Sequence, residues 1–262
     1  FGTSGTASTA MSGVDLALWD LKGKLLGQPV YSLLGGPVRE SITCYATSDD
    51  LDWSQELGFT KFKITNPAHY SESDAGIRAV VDHVAQAREQ VGQTRDLMIN
   101  PVMSYNVEFA LRLLEELKPY NLRWFEEPLV PTDAEGLAEL RRSAPWVAIA
   151  TGEDHHGRHA FLNLVEKRAV DIIQPDLSWG GGLTEAMKVH VIGEMAGIAT
   201  IPHGGANTPF GQHFAMAATE SPMAEFWMGT DPGVPLEDVS RIPGAAVPVN
   251  GKIVPSSAPG FG

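Results

Sequence analysis

Short β-branched or aromatic runs alternate with longer amphipathic segments along most of this chain of 262 residues. Eight runs are strand candidates, at 41–47, 61–65, 96–100, 122–127, 146–153, 170–176, 198–203 and 224–229. Strands that alternate with helices of about 10–15 residues are typical of βαβ units and a parallel sheet. Eight strands in this length predict an α/β fold, a TIM-type (β/α)7β barrel. An open doubly wound sheet is the alternative, but it would need a glycine-rich fingerprint after its first strand, which the sequence lacks.

The rhythm also predicts boundaries. Residues 1–40 are expected to form a lead-in helix, at 10–26, and a linker, while 41–230 form the barrel. Residues 231–262 are predicted to be an irregular C-terminal segment, in which Asn250-Gly251 indicates a short hairpin.

Composition excludes several classes of protein. With 43% hydrophobic and 19% charged residues, the chain can bury a sizeable core. Its formal charge of −13 disfavours nucleic acid as a partner. The sequence has neither an apolar run long enough for a membrane span nor a signal peptide at its start. The single cysteine, Cys44, excludes an internal disulfide and is expected to be a core thiol. We therefore expect a cytoplasmic protein without a membrane partner.

Polar side chains end or follow most of the predicted strands. The active site of a parallel barrel lies at the C-terminal ends of its strands, so we expect these side chains to converge. They are Lys63, Thr65, Asn100, Glu126, Glu127, Glu153, Asp176, His203 and Glu225.

Two groups within this set indicate chemistry. Asn100, Glu126 and Glu153 offer oxygen donors on three adjacent strands, which suits a hard divalent cation, Mg²⁺ above others. Asp176 and His203 follow neighbouring strands, where the carboxylate can fix the imidazole tautomer and raise its basicity. Any one of these residues alone would more often be a helix cap or part of a surface ion pair, but their repetition on successive strands favours a site.

Other residues leave their roles open. His155 and His156 follow the fifth strand, where one of them could bind substrate, begin a helix or face solvent. The glycines at 180–182 could offer backbone amides to an anion or simply form a turn. Strand alternation directs Glu127 away from Glu126, which favours a supporting role.

Several motifs together resemble the mandelate racemase/muconate lactonizing enzyme branch of the enolase superfamily, and within it the rhamnonate dehydratase-like sugar-acid dehydratases. The motifs are SGVDLALWDLKGKLLGQPVYSLLGG at 12–36, RWFEEPL at 123–129, GE at 152–153, DIIQPD at 171–176, GGLTEA at 181–186 and IPHG at 201–204.

The resemblance implies that Asn100, Glu126 and Glu153 hold Mg²⁺ and that His203 and Asp176 transfer the proton. It further implies that Lys63 binds the substrate carboxylate, and that Glu225 contacts the developing oxyanion or a substrate hydroxyl. The family's second basic lysine aligns with Thr65, so one base would remain. One base is sufficient to remove the C2 proton of an aldonic acid such as rhamnonate, form a metal-stabilised enediolate and expel the C3 hydroxyl, which yields a 2-keto-3-deoxy sugar acid.

Two departures from the family pattern keep alternatives open. Asn100 stands where the family has aspartate, so the chain could be a working variant or an impaired member that only binds. A racemase or epimerase of a hydroxy acid is the other enzymatic alternative, weakened by Thr65. Family members also carry an N-terminal α+β capping domain before the barrel. We expect residues 1–40 to lead in from such a domain, unless this is a barrel without its lid. A homo-oligomer is expected from the resemblance alone.

Overall fold

A computed structural model describes residues 4–239 and 241–262 of the chain. Eight parallel strands curl into one sheet in the order β7-β6-β5-β4-β3-β2-β1-β8. They are β1 (Ile42–Thr47), β2 (Lys61–Thr65), β3 (Asp96–Asn100), β4 (Trp124–Glu126), β5 (Ala148–Thr151), β6 (Ile172–Ile173), β7 (Ala199–Thr200) and β8 (Ala224–Trp227). Two backbone hydrogen bonds connect β7 and β8, the two ends of this order. The Thr200 N–H of β7 donates at 2.9 Å to O of Glu220, which precedes β8, and the N–H of Ala206, which follows β7, donates at 2.7 Å to Glu225 O of β8. The predicted barrel is confirmed.

Seven helices connect successive strands, which gives the (β/α)7β order. Those seven are α3 (Leu51–Glu56), α4 (Ser73–Val91), α5 (Val107–Leu117), α6 (Ala134–Ser143), α7 (Arg158–Glu166), α8 (Gly182–Met195) and α9 (Pro209–Ala217). Two further helices, α1 (Thr6–Leu26) and α2 (Val30–Leu33), precede β1. Polar N-cap side chains begin α3, α5, α6 and α9, where each accepts a backbone N–H of the first turn. Among the described helices, none has the length and apolar character needed to cross a membrane.

Strand alternation sorts the side chains into two layers. Outward residues such as Leu97 and Ile99 pack against the helices in the largest apolar cluster. Inward residues such as Met98 and Trp124 fill the barrel interior. Because side chains on one face recur every second residue, Asn100 and Glu126 also face inward, toward the C-terminal mouth of the barrel.

Three strands end before the site residue that the sequence predicts within them. β5, β6 and β7 end before Glu153, Asp176 and His203, which follow on loops rather than at strand ends. Prolines explain two of these endings, because Pro175 and Pro202 have no N–H to continue the ladder.

Helix α1 begins at Thr6, four residues before the predicted start, and packs against α8. Ser12 Oγ accepts the Gly181 N–H and Asp15 Oδ2 accepts the Thr184 N–H, both at 2.9 Å. These two side chains cap the start of α8. The Gly181 N–H, which could have donated to a bound anion, is therefore already hydrogen-bonded within the chain.

The opposite face of α1 is apolar and exposed. Its side chains recur at alternating spacings of three and four residues and are between 50% and 76% exposed. This α1 stripe consists of Met11, Val14, Leu18, Leu21 and Leu25. A regular apolar row of this kind is typical of a helix face that packs against another element.

The predicted hairpin at Asn250-Gly251 is confirmed. Both residues have positive φ, 50° and 66°, and Val249 and Lys252 exchange backbone hydrogen bonds across the turn. The following strand, β9 (Lys252–Ile253), pairs antiparallel with β1. Cys44, on β1, is a buried thiol as expected.

Candidate active site

A cavity of about 520 Å³ opens at the C-terminal ends of the strands. Seven of the residues predicted from the sequence line it: Lys63, Thr65, Asn100, Glu153, Asp176, His203 and Glu225. Glu126 lies below them and is 1% exposed. The strands of the barrel therefore bring the predicted polar residues to one place.

Lys63 is enclosed by carboxylates at the floor of this cavity. Its Nζ donates to Glu126 Oε1 and lies 2.7 Å from Glu225 Oε1. Burial alone would lower the pKa of Lys63, but the two carboxylates raise it well above its usual value. Burial would likewise raise the pKa of Glu225, yet Lys63, His203 and the Gly204 N–H lower it to about 2. Glu225 is therefore ionised, and can accept but not donate a hydrogen bond.

Glu126 accepts hydrogen bonds on both of its oxygens. Lys63 Nζ and Asn100 Nδ2, at 3.0 Å, donate to Oε1. Trp124 Nε1 and Gln174 Nε2 donate to Oε2 at 2.7 and 2.8 Å. Four donors fix the orientation of this carboxylate. Sequence reasoning did not identify Gln174, although it precedes Asp176 by two residues in the same motif.

The amide of Asn100 has a defined orientation. Its Oδ1 accepts the Val102 N–H at 2.7 Å, so its Nδ2 faces Glu126. Val102 and Met103 follow in the left-handed region, with φ of 50° and 58°, where β-branched residues are rare. This tight turn therefore engages the one oxygen of Asn100. An aspartate here would accept the same N–H with one oxygen and keep the other free.

Glu153 lies in a second group of acidic side chains. Carboxylate oxygens of Glu127, Glu153 and Asp154 all lie within 4.8 Å of one another. Burial and the neighbouring carboxylates Glu127 and Glu126 raise the pKa of Glu153 to about 8. Burial also raises the pKa of Glu127 to about 6, and its buried Oε2 has no hydrogen-bond partner among the described residues.

Carboxylates crowd around Glu153 with few cations beside them, and this excess of negative charge bears on whether a metal ion fits. Oxygen donors in excess of cations, with one buried oxygen unpartnered, are the surroundings that a hard divalent cation stabilises. The residues therefore fit Mg²⁺ in donor type and charge. Glu127 contributes to this environment more than its predicted supporting role suggests.

His203 and Asp176 form the predicted dyad. His203 Nδ1 lies 2.7 Å from Asp176 Oδ2, and Asp176 Oδ1 accepts the Ser178 and Trp179 N–H groups at 2.6 and 2.9 Å. The hydrogen-bond network assigns the proton to Nδ1, which leaves Nε2 toward the cavity, 3.7 Å from Glu153 Oε2. Burial lowers the pKa of His203, but Asp176, Glu225 and Glu153 together raise it to about 9.

The two histidines after β5 lie away from these groups. His155 is buried beside Phe161, and burial lowers its pKa to about 4. His156 Nδ1 lies 3.1 Å from Trp179 O. Neither belongs to the described residues that line the cavity, so their contact with substrate stays a prediction.

The enclosure of Lys63 leads to a stability prediction. Lys63→Met should lower the free energy of unfolding by roughly 3–5 kcal/mol, because it leaves two buried carboxylates without their cation. Urea denaturation measures the change. Lys61→Met removes a half-buried pair with Asp96 and should cost less than about 1 kcal/mol. Equal stability of wild type and Lys63→Met would contradict this description of the site.

Family models match most of the chain. One, described as "Enolase C-terminal domain-like", matches residues 49–262. Another, described as "Mandelate racemase / muconate lactonizing enzyme, N-terminal domain", matches residues 2–35.

Individual relatives agree with these models. The chain is 40% identical over 266 aligned positions to an L-rhamnonate dehydratase of Saccharopolyspora erythraea, covering 100% of this chain and 67% of the relative. It is also 40% identical to a putative L-rhamnonate dehydratase of Caldivirga maquilingensis, of which it covers 66%. The chain thus spans about two thirds of the length of these curated relatives.

Solved structures show the same likeness. A rhamnonate dehydratase from Gibberella zeae complexed with Mg has a TM-score of 0.92 at 33% identity, with 100% of this chain and 65% of that chain covered. A 3,6-anhydro-D-galactonate cycloisomerase from Zobellia galactanivorans has a TM-score of 0.86 at 29% identity, with 100% and 74% covered. From its motifs, fold and relatives, the chain belongs to the mandelate racemase/muconate lactonizing enzyme branch of the enolase superfamily.

Proposed function

We propose that this chain is the catalytic barrel of a Mg²⁺-dependent sugar-acid dehydratase that acts on aldonic acids such as L-rhamnonate. The observation that carries the proposal is the His203–Asp176 dyad, whose free Nε2 faces the cavity beside Glu153. The named dehydratases at 40% identity and the Mg complex of the structural relative support the substrate class and the metal.

His203 moves the proton in this proposal. The neighbouring carboxylates raise the pKa of His203 to about 9, and a cation bound beside Glu153 would lower it again by offsetting their charge. Neutral Nε2 then accepts the C2 proton of the sugar acid while Asp176 stabilises the imidazolium that forms. The protonated imidazole then delivers that proton to the C3 hydroxyl, which leaves as water. The resulting enol tautomerises to the 2-keto-3-deoxy acid, so atoms and charge balance without an external reactant.

Lys63 and Glu225 act from the cavity floor. Lys63, charged and held between two carboxylates, provides the positive field for a substrate carboxylate. Glu225 is ionised, which supports the hydroxyl-binding role and disfavours donation to an oxyanion.

The opposite side of the cavity supports a single base. Thr65 lies there, hydrogen-bonded through Oγ1 and N–H to Asp49, where the family's second lysine would stand. A racemase needs an acid or base on each face of the carbanion, and Thr65 supplies neither. Dehydration by one base that returns its proton is therefore favoured.

We assign the cation to Asn100, Glu126 and Glu153. A carboxylate oxygen of Glu127 lies within 4.8 Å of one of Glu153, and the unpartnered Oε2 of Glu127 adds negative charge there. When bound, Mg²⁺ supplies Lewis-acid stabilisation of negative charge on the substrate carboxylate. Asn100 Oδ1 already accepts the Val102 N–H, so only its second lone pair could bind the cation, and this uncharged oxygen is a weaker ligand than an aspartate.

The proposed proton transfer predicts the effect of removing the imidazole. His203→Asn should lower the rate of 2-keto acid formation from L-rhamnonate with Mg²⁺ by about 10²–10⁴-fold, since no other base faces C2. A semicarbazide assay across a panel of aldonic acids measures this rate. His159 is an exposed residue of α7 that does not line the cavity, so His159→Asn removes an imidazole elsewhere and should keep the activity.

Three outcomes would contradict the proposal. They are full activity of His203→Asn, no keto acid from any aldonic acid when Mg²⁺ is bound, and C2 exchange in D₂O with inversion but no loss of water. The last would indicate a racemase or epimerase.

The Asn100 orientation predicts a gain in metal affinity. Asn100→Asp should bind Mg²⁺ about tenfold more tightly by calorimetry, because it adds charge and leaves one oxygen free of the Val102 N–H. Asn163→Asp adds the same charge on exposed α7 and should change nothing. Equal affinity in wild type and Asn100→Asp would contradict this interpretation. Dehydration by the variant alone would indicate that the natural chain only binds its sugar acid.

We further propose that residues 1–40 join the barrel at 41–230 to an N-terminal α+β domain, with 231–262 as an irregular segment. The match of residues 2–35 to the N-terminal family model supports this division. The α1 stripe supports it too, because a domain seated there would cover its apolar side chains. A homo-oligomer and a cytoplasmic location stay predictions from sequence.

The α1 stripe can be tested directly. Leu18→Glu with Leu21→Glu should leave the melting temperature of this chain unchanged and reduce dye binding to its exposed apolar surface. In a polypeptide that includes the N-terminal domain, the same pair should lower stability by roughly 2–4 kcal/mol. Met195→Glu, at an 85% exposed position on α8, is the control. Unchanged stability of the longer polypeptide would contradict the proposal.

A further inference from the structure

A second cavity lies at the opposite end of the barrel from the candidate active site. It measures about 670 Å³ and is bordered by the residues that precede β3, β4, β5 and β6. Because the strands are parallel, these residues share the N-terminal end of the barrel. We call this cavity the basal cleft. Its volume is within the range of small-molecule sites.

The basal cleft is rich in arginine, although the chain as a whole has a formal charge of −13. Its walls include Arg95, Arg123, Arg141 and Arg142. In a strongly acidic chain, four guanidinium groups around one cavity are a concentration of positive charge that folding of the barrel does not require.

Both acidic side chains in the walls are already paired. Asp171 Oδ1 accepts from Arg141 Nε at 2.8 Å, and Asp171 Oδ2 accepts the Ile149 N–H at 3.0 Å. Asp96 is paired with Lys61, which lies outside the cleft. These carboxylates therefore do not neutralise the remaining arginines.

Three arginines have no ion-pair partner among the described residues, although Arg95 Nη1 donates to Gln55 Oε1. Across residues 4–239 and 241–262, no carboxylate oxygen lies within 4.0 Å of Arg95, Arg123 or Arg142. Arg142 lies in the last turn of α6, where the helix dipole favours a cation. Arg95 and Arg123 lie on loops, so that explanation does not extend to them.

A buried arginine holds the walls of the cleft in place. Arg88 is 2% exposed and donates to Gly92 O and Arg95 O at 2.8 Å, to Tyr120 O at 2.9 Å and to Asn121 O at 3.0 Å. It thereby ties together the two loops that carry Arg95 and Arg123. The cationic groups are attached to a fixed frame, which reduces the ordering cost of binding.

We propose that the basal cleft binds a small polyanion, bearing phosphate groups or several carboxylates, through Arg95, Arg123 and Arg142. Guanidinium groups pair with phosphate and carboxylate through two parallel hydrogen bonds, which suits such ligands. The half-buried Trp146 provides an apolar wall beside them.

Calorimetry on the intact chain, with pyrophosphate and citrate as probes, tests this site. Pyrophosphate represents ligands that bear phosphate groups, and citrate represents ligands that bear several carboxylates. Binding of either probe at one site per chain supports the proposal. Arg123→Gln with Arg142→Gln should weaken that binding at least about tenfold, as expected for two lost charge-assisted pairs. Arg78→Gln removes the same charge from the exposed face of α4 and should change it less than about twofold.

Several results would overturn the proposal. They are no binding of either probe at concentrations of about 5 mM, equal weakening by Arg78→Gln, or unchanged binding in the double variant. Loss of binding in His203→Asn would place the probes in the active site instead. An unchanged melting temperature of the double variant verifies that it is folded, so a loss of binding reports on the cleft alone.

Discussion

The crowding of carboxylates at the mouth of the barrel is the constraint on which the site depends. Five acidic side chains meet there, and among the described residues Lys63 and His203 are the cations in contact with them. They are Glu126, Glu127, Glu153, Asp176 and Glu225. Lys63 lies between Glu126 and Glu225 and lowers the pKa of Glu225 to about 2 despite its burial. Glu153 lies 3.7 Å from His203, but burial and the neighbouring carboxylates raise its pKa to about 8. The mouth is therefore prepared for a further positive charge.

The fold creates this crowding through two simple rules. Parallel strands bring their C-terminal ends to one edge, and side chains two residues apart share a face. Trp124 and Glu126 obey both rules, so the indole below can donate to the carboxylate above. Asp176 and His203 lie on the loops that follow prolines, where the backbone is free to bring the imidazole over the cavity.

Sequence reasoning could predict the barrel, the convergence of the polar residues and the hairpin at Asn250-Gly251, since each follows from local pattern. It could not predict how Asn100 is turned, because that depends on the Val102 N–H across a tight turn. Nor could it identify Gln174 as a donor to Glu126, a contact between side chains 48 residues apart. Nor could it predict the basal cleft, since the arginines of that cleft come from two loops and from α6, which only the curled sheet brings together.

The crowded carboxylates at the mouth of the barrel form a divalent-cation site if they bind Mn²⁺, and electron paramagnetic resonance measures that binding. We predict that each chain binds one Mn²⁺ and that Mg²⁺ displaces it. Glu153→Gln should reduce the affinity for Mn²⁺ on the order of a hundredfold. Absence of bound Mn²⁺, or binding that Glu153→Gln leaves unchanged, would contradict it.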